Sequence, residues 1–303
     1  MKPILAATNF SRAANHASHR AALLARASGS GCVELLHVLP ALGRGGRWLG
    51  PSAQATARFE HARLQMERLL PALRAGSPVA VEGRLVSGKL IESLADAAKE
   101  AKLVVVGAPG RSLSNLVSAS TVHRLLRRIR RPVLVVRQRP MFPYRRVVVA
   151  VDLVTSPAEA LASARVVAPR ASLDVLHVYR VPFEGKLQNA GVPASAIADQ
   201  RVEAFQAAVD RMASLMLAQN PLPGLTAHIV HGSAAVEVLA KERALGADLV
   251  VVSRSGKTLV EEWLIQGVTS RLLEEGTGDV LVVPARGRGI DRSAPTSTSA
   301  AAA

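Results

Sequence analysis

The sequence has little cysteine, few aromatic residues and no long apolar run. Cys32 is the one cysteine in the chain, which excludes an internal disulfide and fits a reducing compartment. Because Cys32 opens an apolar run, we interpret it as a buried, inert thiol. No apolar run approaches the roughly 20 residues of a membrane-spanning helix, and the N-terminus carries no signal-peptide pattern. We therefore expect a cytoplasmic protein with no membrane partner.

Aromatic residues make up only 3% of the chain, whereas apolar residues make up 49% of it. The core must then consist of Val, Leu, Ile and Ala, a composition typical of parallel strands that are covered by helices on both faces. A length of 303 residues exceeds what one hydrophobic core usually organises and indicates two domains.

Three segments of the first half of the sequence return in the second half in the same order. The offsets are 140, 146 and 147 residues, so we infer that one domain has been duplicated. The paired segments are 34–38 with 174–178, 103–107 with 249–253, and 132–136 with 279–283. We predict domains at 1–139 and 144–285, joined closely by a short linker that contains Pro140 and Pro143. Residues 286–303 are rich in Ser, Thr and Ala and are predicted to be a disordered tail.

Short β-rich runs alternate with helical stretches in both copies. The predicted strands lie near 3–8, 32–38, 79–86, 102–107, 132–137, 146–151, 172–179, 225–231, 248–253 and 279–283. Such alternation predicts an α/β fold in which each domain is doubly wound, with a five-stranded, mostly parallel sheet and helices on both faces.

A glycine turn follows the fourth strand of the first copy, where doubly wound folds bind their ligands. Gly107 and Gly110 are separated by two residues, and nine residues later come Ser120 and Thr121. Glycine allows backbone N–H groups to approach phosphate oxygens, and hydroxyls at the start of a helix add further donors. Many ordinary strand–helix turns also use glycine, so the spacing alone leaves both interpretations open.

The whole layout resembles that of a tandem universal stress protein, over roughly residues 2–284. The resemblance rests on the first strand and its turn (4–11), the Leu-His-Val end of the second strand, the Gly-x-x-Gly turn and the closing strand 132–136. In that family the nucleotide pattern is Gly, two residues, Gly, nine residues, then Gly and Ser or Thr. The resemblance implies an adenine-nucleotide alpha-hydrolase-like fold and an ATP site in the first domain, with Mg²⁺ accompanying the ATP.

The residues to which this resemblance assigns the nucleotide are Asn9, Val38, Gly107, Gly110, Ser120 and Thr121. Ser120 stands where the family has its third glycine and adds a side chain near the phosphates. Asn9 stands where the family has an aspartate that helps to hold the adenosine, and an amide lacks the charge of that aspartate. Val38 falls where the backbone flanks the adenine.

The second copy departs from the pattern differently. It keeps Asp152 after its first strand, but Ser253 replaces the first glycine of the loop and Gln266 replaces the third. We therefore expect no ATP binding of the family type in the second domain.

Four histidines could suggest a site, and we interpret all four as structural. His37 and His177 occupy equivalent strand ends without further metal-ligating residues at suitable spacing, so we predict packed, hydrogen-bonded side chains. His16 and His19 lie on the first helix and are predicted to face solvent.

The excess of positive charge, +15 at pH 7, includes a run of arginines after the glycine turn, namely Arg124, Arg127, Arg128, Arg130 and Arg131. A solvated helix face is the simpler interpretation, because cations are favoured near a helix C-terminus. A surface for a polyanion such as nucleic acid is the alternative. Few aromatic residues lie among these arginines, which argues against specific binding of single strands.

These features support two functions. The first is a stress-response protein whose first domain binds an adenine nucleotide; the second is an interaction or scaffold module, formed by a fused pseudo-dimer, that binds none. An enzyme is less well supported, with at most a weak ATPase activity, because no metal- and water-positioning residues stand out. The duplication also predicts a monomeric pseudo-dimer or a homodimer of the fused chain.

Overall fold

The computed structural model describes residues 2–27, 31–40, 53–75, 79–109, 119–153, 157–219, 224–254 and 259–284. The strands are β1 (Ile4–Ala7), β2 (Cys32–Pro40), β3 (Ala80–Gly88), β4 (Leu103–Gly107), β5 (Val133–Val136), β6 (Arg146–Ala150), β7 (Ser172–Tyr179), β8 (Leu225–His231), β9 (Leu249–Arg254) and β10 (Asp279–Pro284). The helices are α1 (Arg12–Ala27), α2 (Ala53–Arg74), α3 (Leu90–Ala98), α4 (Ala119–Arg128), α5 (Pro157–Val167), α6 (Glu184–Asn189), α7 (Ala194–Ala218), α8 (Ala234–Leu245) and α9 (Leu259–Glu275). All ten predicted strands are present.

The strands form one ten-stranded sheet in the order β3-β2-β1-β4-β5-β10-β9-β6-β7-β8. The first half (β1–β5 with α1–α4) and the second half (β6–β10 with α5–α9) each contribute five parallel strands. Both halves wind in the same order, with their first strand at the centre. The predicted α/β fold with a mostly parallel sheet is therefore confirmed.

The halves meet where β5 pairs antiparallel with β10, so that Leu134 lies opposite Leu281. Among the described strands this is the one antiparallel pair. The sequence predicted close packing of the halves but not this continuous sheet. The proposed division at 139 and 144 stays a prediction, and the tail 286–303 lies outside the described residues.

The core has two layers, one on each face of the sheet. One layer packs strand residues such as Ile4 against α1, α2, α5 and α7. The other packs strand residues such as Leu5 against α3, α4, α8 and α9. Successive strand residues point to opposite faces, and both faces are covered, so the strands read as unbroken apolar runs such as Val147–Val149.

Cys32 is half-buried at the start of β2 rather than fully buried as predicted. Burial nevertheless raises the pKa of its thiol, which disfavours the reactive thiolate. No helix in the described part of the chain combines the length and the apolar character that crossing a bilayer requires.

Candidate functional site at the carboxyl ends of the first-half strands

The register of the sheet brings three predicted site residues to one edge. Ala7 pairs with Leu36 on one side, and Ala6 pairs with Val105 on the other. The strands β1 and β4 therefore end almost level with each other, whereas β2 runs on to Pro40. Asn9 and Val38 follow at this edge, next to the end of β4 at Gly107.

The turn after β1 is closed by its own side chains. Asn9 Oδ1 accepts a hydrogen bond from the Ser11 N–H (3.1 Å), and Thr8 Oγ1 accepts one from the Phe10 N–H (3.0 Å). Ser11 Oγ in turn accepts the Ala14 N–H (3.3 Å), which satisfies one of the first donors of α1. The amide of Asn9 thus already has a local role, and its oxygen helps to start α1.

Phe10 and His37 pack together beside this turn. Phe10 has a φ of 61°, in the left-handed region, and its ring centroid lies 4.6 Å from that of His37. The His37 Nδ1–H donates to the Thr8 carbonyl oxygen (2.8 Å). Since a carbonyl can only accept, this bond places a proton on Nδ1. The predicted packed role of His37 is confirmed.

Gly107 is a glycine because α1 lies directly against it. A Cβ added there would lie 2.6 Å from the Ala13 carbonyl carbon and 2.9 Å from the Ala14 nitrogen. No larger residue fits without a shift of the α1 backbone. The sequence analysis explained this glycine by the approach of a phosphate; the structure supplies a packing reason for the same residue.

Ser120 and Thr121 lie in the first turn of α4, the helix that follows β4. Ser120 is exposed and Thr121 is half-buried. A first helical turn presents backbone N–H groups and the positive end of the helix dipole, which suit an anion. Gly110 lies outside the described residues. The six assigned positions remain a predicted site.

The corresponding edge of the second half differs. Asp152 follows β6, and Ser253 takes the place of Gly107 near the end of β9. Gln266 and Gly267 lie inside α9. His177 repeats the bond of its counterpart, because its Nδ1–H donates to the Val151 carbonyl oxygen at 3.0 Å. The strand ends are thus conserved between the halves while the loop chemistry is not.

His16 and His19 are half-buried on α1 rather than solvated, so that prediction is wrong. Burial is the main cause that lowers the pKa of both imidazoles, and the nearby Arg139 lowers each pKa further. The helix lies against the segment between β5 and β6, which the sequence could not place.

A buried charged cluster, missed by the sequence analysis, joins the two halves. Asp279 is fully buried at the start of β10 and accepts hydrogen bonds from the Arg137 N–H (2.8 Å), the Gln138 N–H (2.9 Å) and the Tyr144 hydroxyl (2.6 Å). Arg20 Nε lies 3.4 Å from Asp279 Oδ2, and its guanidinium stacks 4.1 Å from the Tyr144 ring centroid. The signal in the sequence is an aspartate at the start of an otherwise apolar strand.

The arginine run and the search for a metal site give two further results. Arg124, Arg127 and Arg128 are exposed on α4, as expected of a solvated helix face. Among the residues that the structure describes, no three metal-ligating side chains converge.

The fold and the edge described above define a duplicated α/β protein with a candidate ligand site beyond its first-half strands. The chain matches the universal stress protein family twice, over residues 1–137 and 143–284. It therefore belongs to the universal stress protein family, as a tandem member.

Solved structures share the fold over nearly the whole chain. A universal stress protein from Archaeoglobus fulgidus DSM 4304 matches with a TM-score of 0.65 at 17% identity, covering 93% of this chain and 98% of that one. A putative universal stress protein from Pseudomonas aeruginosa UCBPP-PA14 matches with a TM-score of 0.55 at 16% identity, covering 94% of both chains. No curated protein matches the sequence. At these identities the likeness concerns the fold alone.

Proposed function

We propose that this universal stress protein responds to stress by binding an adenine nucleotide, ATP, in its first half. The observation that carries the proposal is the shared edge at which Asn9, Val38 and Gly107 meet, followed by the hydroxyl-bearing first turn of α4. Ligands of doubly wound sheets bind beyond the carboxyl ends of the strands.

Each residue has a distinct part in this proposal. The first-turn N–H groups of α4 and the hydroxyls of Ser120 and Thr121 would donate to phosphate oxygens. The backbone at Val38 would flank the adenine, and the amide of Asn9 would hydrogen-bond the adenosine part. Mg²⁺ would accompany the ATP and neutralise phosphate charge.

We propose binding rather than turnover as the main activity. The donors at this edge are backbone N–H groups, hydroxyls and an amide, all of which hold a ligand without moving a proton. ATP hydrolysis normally requires a residue that orients the attacking water together with a positioned metal.

A specific observation favours the alternative, an interaction module that binds no nucleotide. Asn9 Oδ1 is engaged by the Ser11 N–H, and Gly107 is explained by the approach of Ala13. Two of the assigned residues thus have reasons to be present without any ligand. The fused halves, joined at β5 and β10, would then present their surfaces to protein partners.

The deciding experiment is denaturing extraction of freshly purified protein, with mass spectrometry of the released molecules, followed by calorimetric titration with ATP and Mg²⁺. About one equivalent of ATP per chain is expected. Replacing Gly110 with valine should abolish binding while the circular dichroism spectrum stays unchanged. Gly256→Val, in the corresponding loop of the second half, is the matched control and should bind as the wild type does. Absence of ligand and of heat in the wild type would favour the interaction module.

A further inference from the structure

A second cleft lies in the second half, between the carboxyl ends of β7 and β8. It has a volume of about 510 Å³, within the range of small-molecule sites. Residues 180–188, which follow β7 and include α6, form one wall, and 231–233 at the start of α8 form the other. We name it the β7–β8 cleft. Asp152, Val178 and Ser253, which correspond to Asn9, Val38 and Gly107, are not among its lining residues, so it differs from the second-half counterpart of the candidate nucleotide site.

The β7–β8 cleft carries cations without matching anions. Arg180 and Lys186 are exposed at its walls, and neither has a carboxylate within ion-pairing distance among the residues described. The carboxylate of Glu184 is already engaged, because both Arg201 and His231 bond to it. Glu237 is a further anion, seated beneath the turn between β8 and α8. The positive charges of Arg180 and Lys186 therefore outnumber the negative charge of Glu237, and the cleft has a net positive charge.

His231 holds the two walls of the cleft together through Glu184. Its Nε2 lies 3.0 Å from Glu184 Oε2, and its ring centroid lies 5.2 Å from that of Tyr179. The carboxylate accepts, so Nε2 carries a proton in this arrangement.

Phe183 supplies an exposed aromatic surface at the rim. Its side chain is 71% exposed, and its φ of 59° places a bulky residue in the left-handed region. Such backbone strain in a non-glycine residue tends to be retained at binding sites. The Lys186 ammonium lies 5.5 Å from the centre of the ring, so one small ligand can touch both groups.

The corresponding cleft of the first half has no second cation among its described residues, so the fold alone does not impose the pair of cations. In that half Leu39 pairs with Ser87, just as Tyr179 pairs with His231 in the second half. Pro40 accordingly stands where Arg180 stands in the second half. Among the described residues, the first-half cleft is lined by one exposed cation, Arg58, by the hydroxyl-bearing Thr56 and Ser87, and by the apolar Leu39, Pro40, Ala55 and Phe59.

We propose that the β7–β8 cleft binds a small phosphate ester that carries a flat ring. The phosphate lies between Arg180 and Lys186, where guanidinium and ammonium donors make charge-assisted hydrogen bonds. The ring stacks on Phe183. The proposal does not depend on the nucleotide site of the first half.

The test uses phenyl phosphate as the probe, with inorganic phosphate and phenol for its two parts. Titration is followed through the ring ¹⁵N–¹H signals of the histidines in the full chain, with His231 assigned by a His231→Gln variant. We expect saturable shifts of the His231 signals, with phenyl phosphate bound more tightly than phosphate and phenol without effect.

The variant Arg180→Ala/Lys186→Ala should weaken phenyl phosphate binding by about tenfold or more, since both charged contacts to the phosphate are lost. Phe183→Ala should reduce the preference for phenyl phosphate over phosphate. Arg58→Ala, in the first-half cleft, and Gly110→Val should leave the shifts unchanged. Unshifted His231 signals, or equal affinity in the double alanine variant, would overturn the proposal. A loss of ATP binding with intact phenyl phosphate binding separates the two sites.

Discussion

The two halves use the same histidine in the same way. His37 and His177 both lie near the end of the second strand of their half, and each donates from Nδ1 to the carbonyl of the residue just after the first strand. The halves then diverge at the surface that follows. The first half has Gly107 under α1 and a β2–β3 cleft with one cation, Arg58, in its described lining. The second half has Ser253 and a β7–β8 cleft with two exposed cations, Arg180 and Lys186. The two halves thus share the histidine that closes the sheet edge and differ in the residues that lie beyond the strand ends.

The halves also differ in how they hold each other. The second half supplies Asp279 at the start of its last strand, where the first half has Pro132 at the equivalent position. A buried carboxylate of the second half therefore serves the junction, and the donors that the structure describes for it are Arg20, Arg137, Gln138 and Tyr144. The junction is asymmetric although the sheet order is symmetric.

The largest loss of stability is expected from a variant that breaks this junction. Asp279→Ala should lower the free energy of unfolding by about 3–5 kcal/mol, because it leaves the buried Arg20 guanidinium and several donors without their partner. Chemical denaturation with urea measures the loss. The control is Asp96→Ala, which removes an exposed, solvent-screened ion pair with Lys99 and should leave the free energy of unfolding nearly unchanged. Similar losses for the two variants would show that the junction does not depend on Asp279.

The next largest loss of stability concerns Gly107 at the end of β4, where the second half has Ser253 near the end of β9. Gly107→Ser should lower the free energy of unfolding by about 1–3 kcal/mol, because the new Cβ meets the backbone of α1. The reverse change, Ser253→Gly, should cost about 1 kcal/mol or less, from added chain entropy alone. Thermal unfolding of the two variants gives the comparison. Equal costs would contradict the packing explanation of Gly107.

The sequence predicted the strands well because both sheet faces are covered, so each strand is an apolar run such as Leu103–Val106. It did not predict the pairing of β5 with β10, because the exposed edge of a strand leaves no trace in its side-chain pattern. Gly107 was assigned to a ligand because a spacing motif cannot show that α1 lies 2.6 Å from its missing Cβ. Arg180 and His231 were missed because they are far apart in the chain and meet only through the register of β7 with β8.

A smaller effect is a pH dependence of the free energy of unfolding that arises from α1 and not from its counterpart α5. Burial lowers the pKa of His16 and His19 below their usual value of 6.5, so the unfolded chain takes up protons more readily than the folded one. The stability that these groups contribute is present above pH 6.5 and is lost as the pH falls through their lowered pKa values. In α5 the corresponding residues are Glu159 and Ala162, so this acid sensitivity belongs to the first half.

The double variant His16→Gln/His19→Gln should flatten the decline in unfolding free energy on the acid side of that range. The difference should stay below about 1 kcal/mol, because both side chains are partly exposed and screened by solvent. Unfolding by urea at a series of pH values measures it. The exposed His61→Gln on α2 is the control and should leave the pH profile in place. An unchanged profile in the double variant would contradict the assignment to α1.

The smallest effect is expected from giving position 9, just after β1, the aspartate that the second half has at position 152, just after β6. Asn9→Asp should stabilise the chain by about 0.3–1 kcal/mol, because a carboxylate near the start of α1 interacts favourably with the helix dipole and still accepts the Ser11 N–H. The same variant should tighten ATP binding if the first half holds the nucleotide, since it restores the residue that the family uses. Thermal unfolding and calorimetry separate the two effects. Stabilisation without any change in ATP binding would mean that position 9 acts on the helix alone, and that the two halves differ there in capping rather than in ligand recognition.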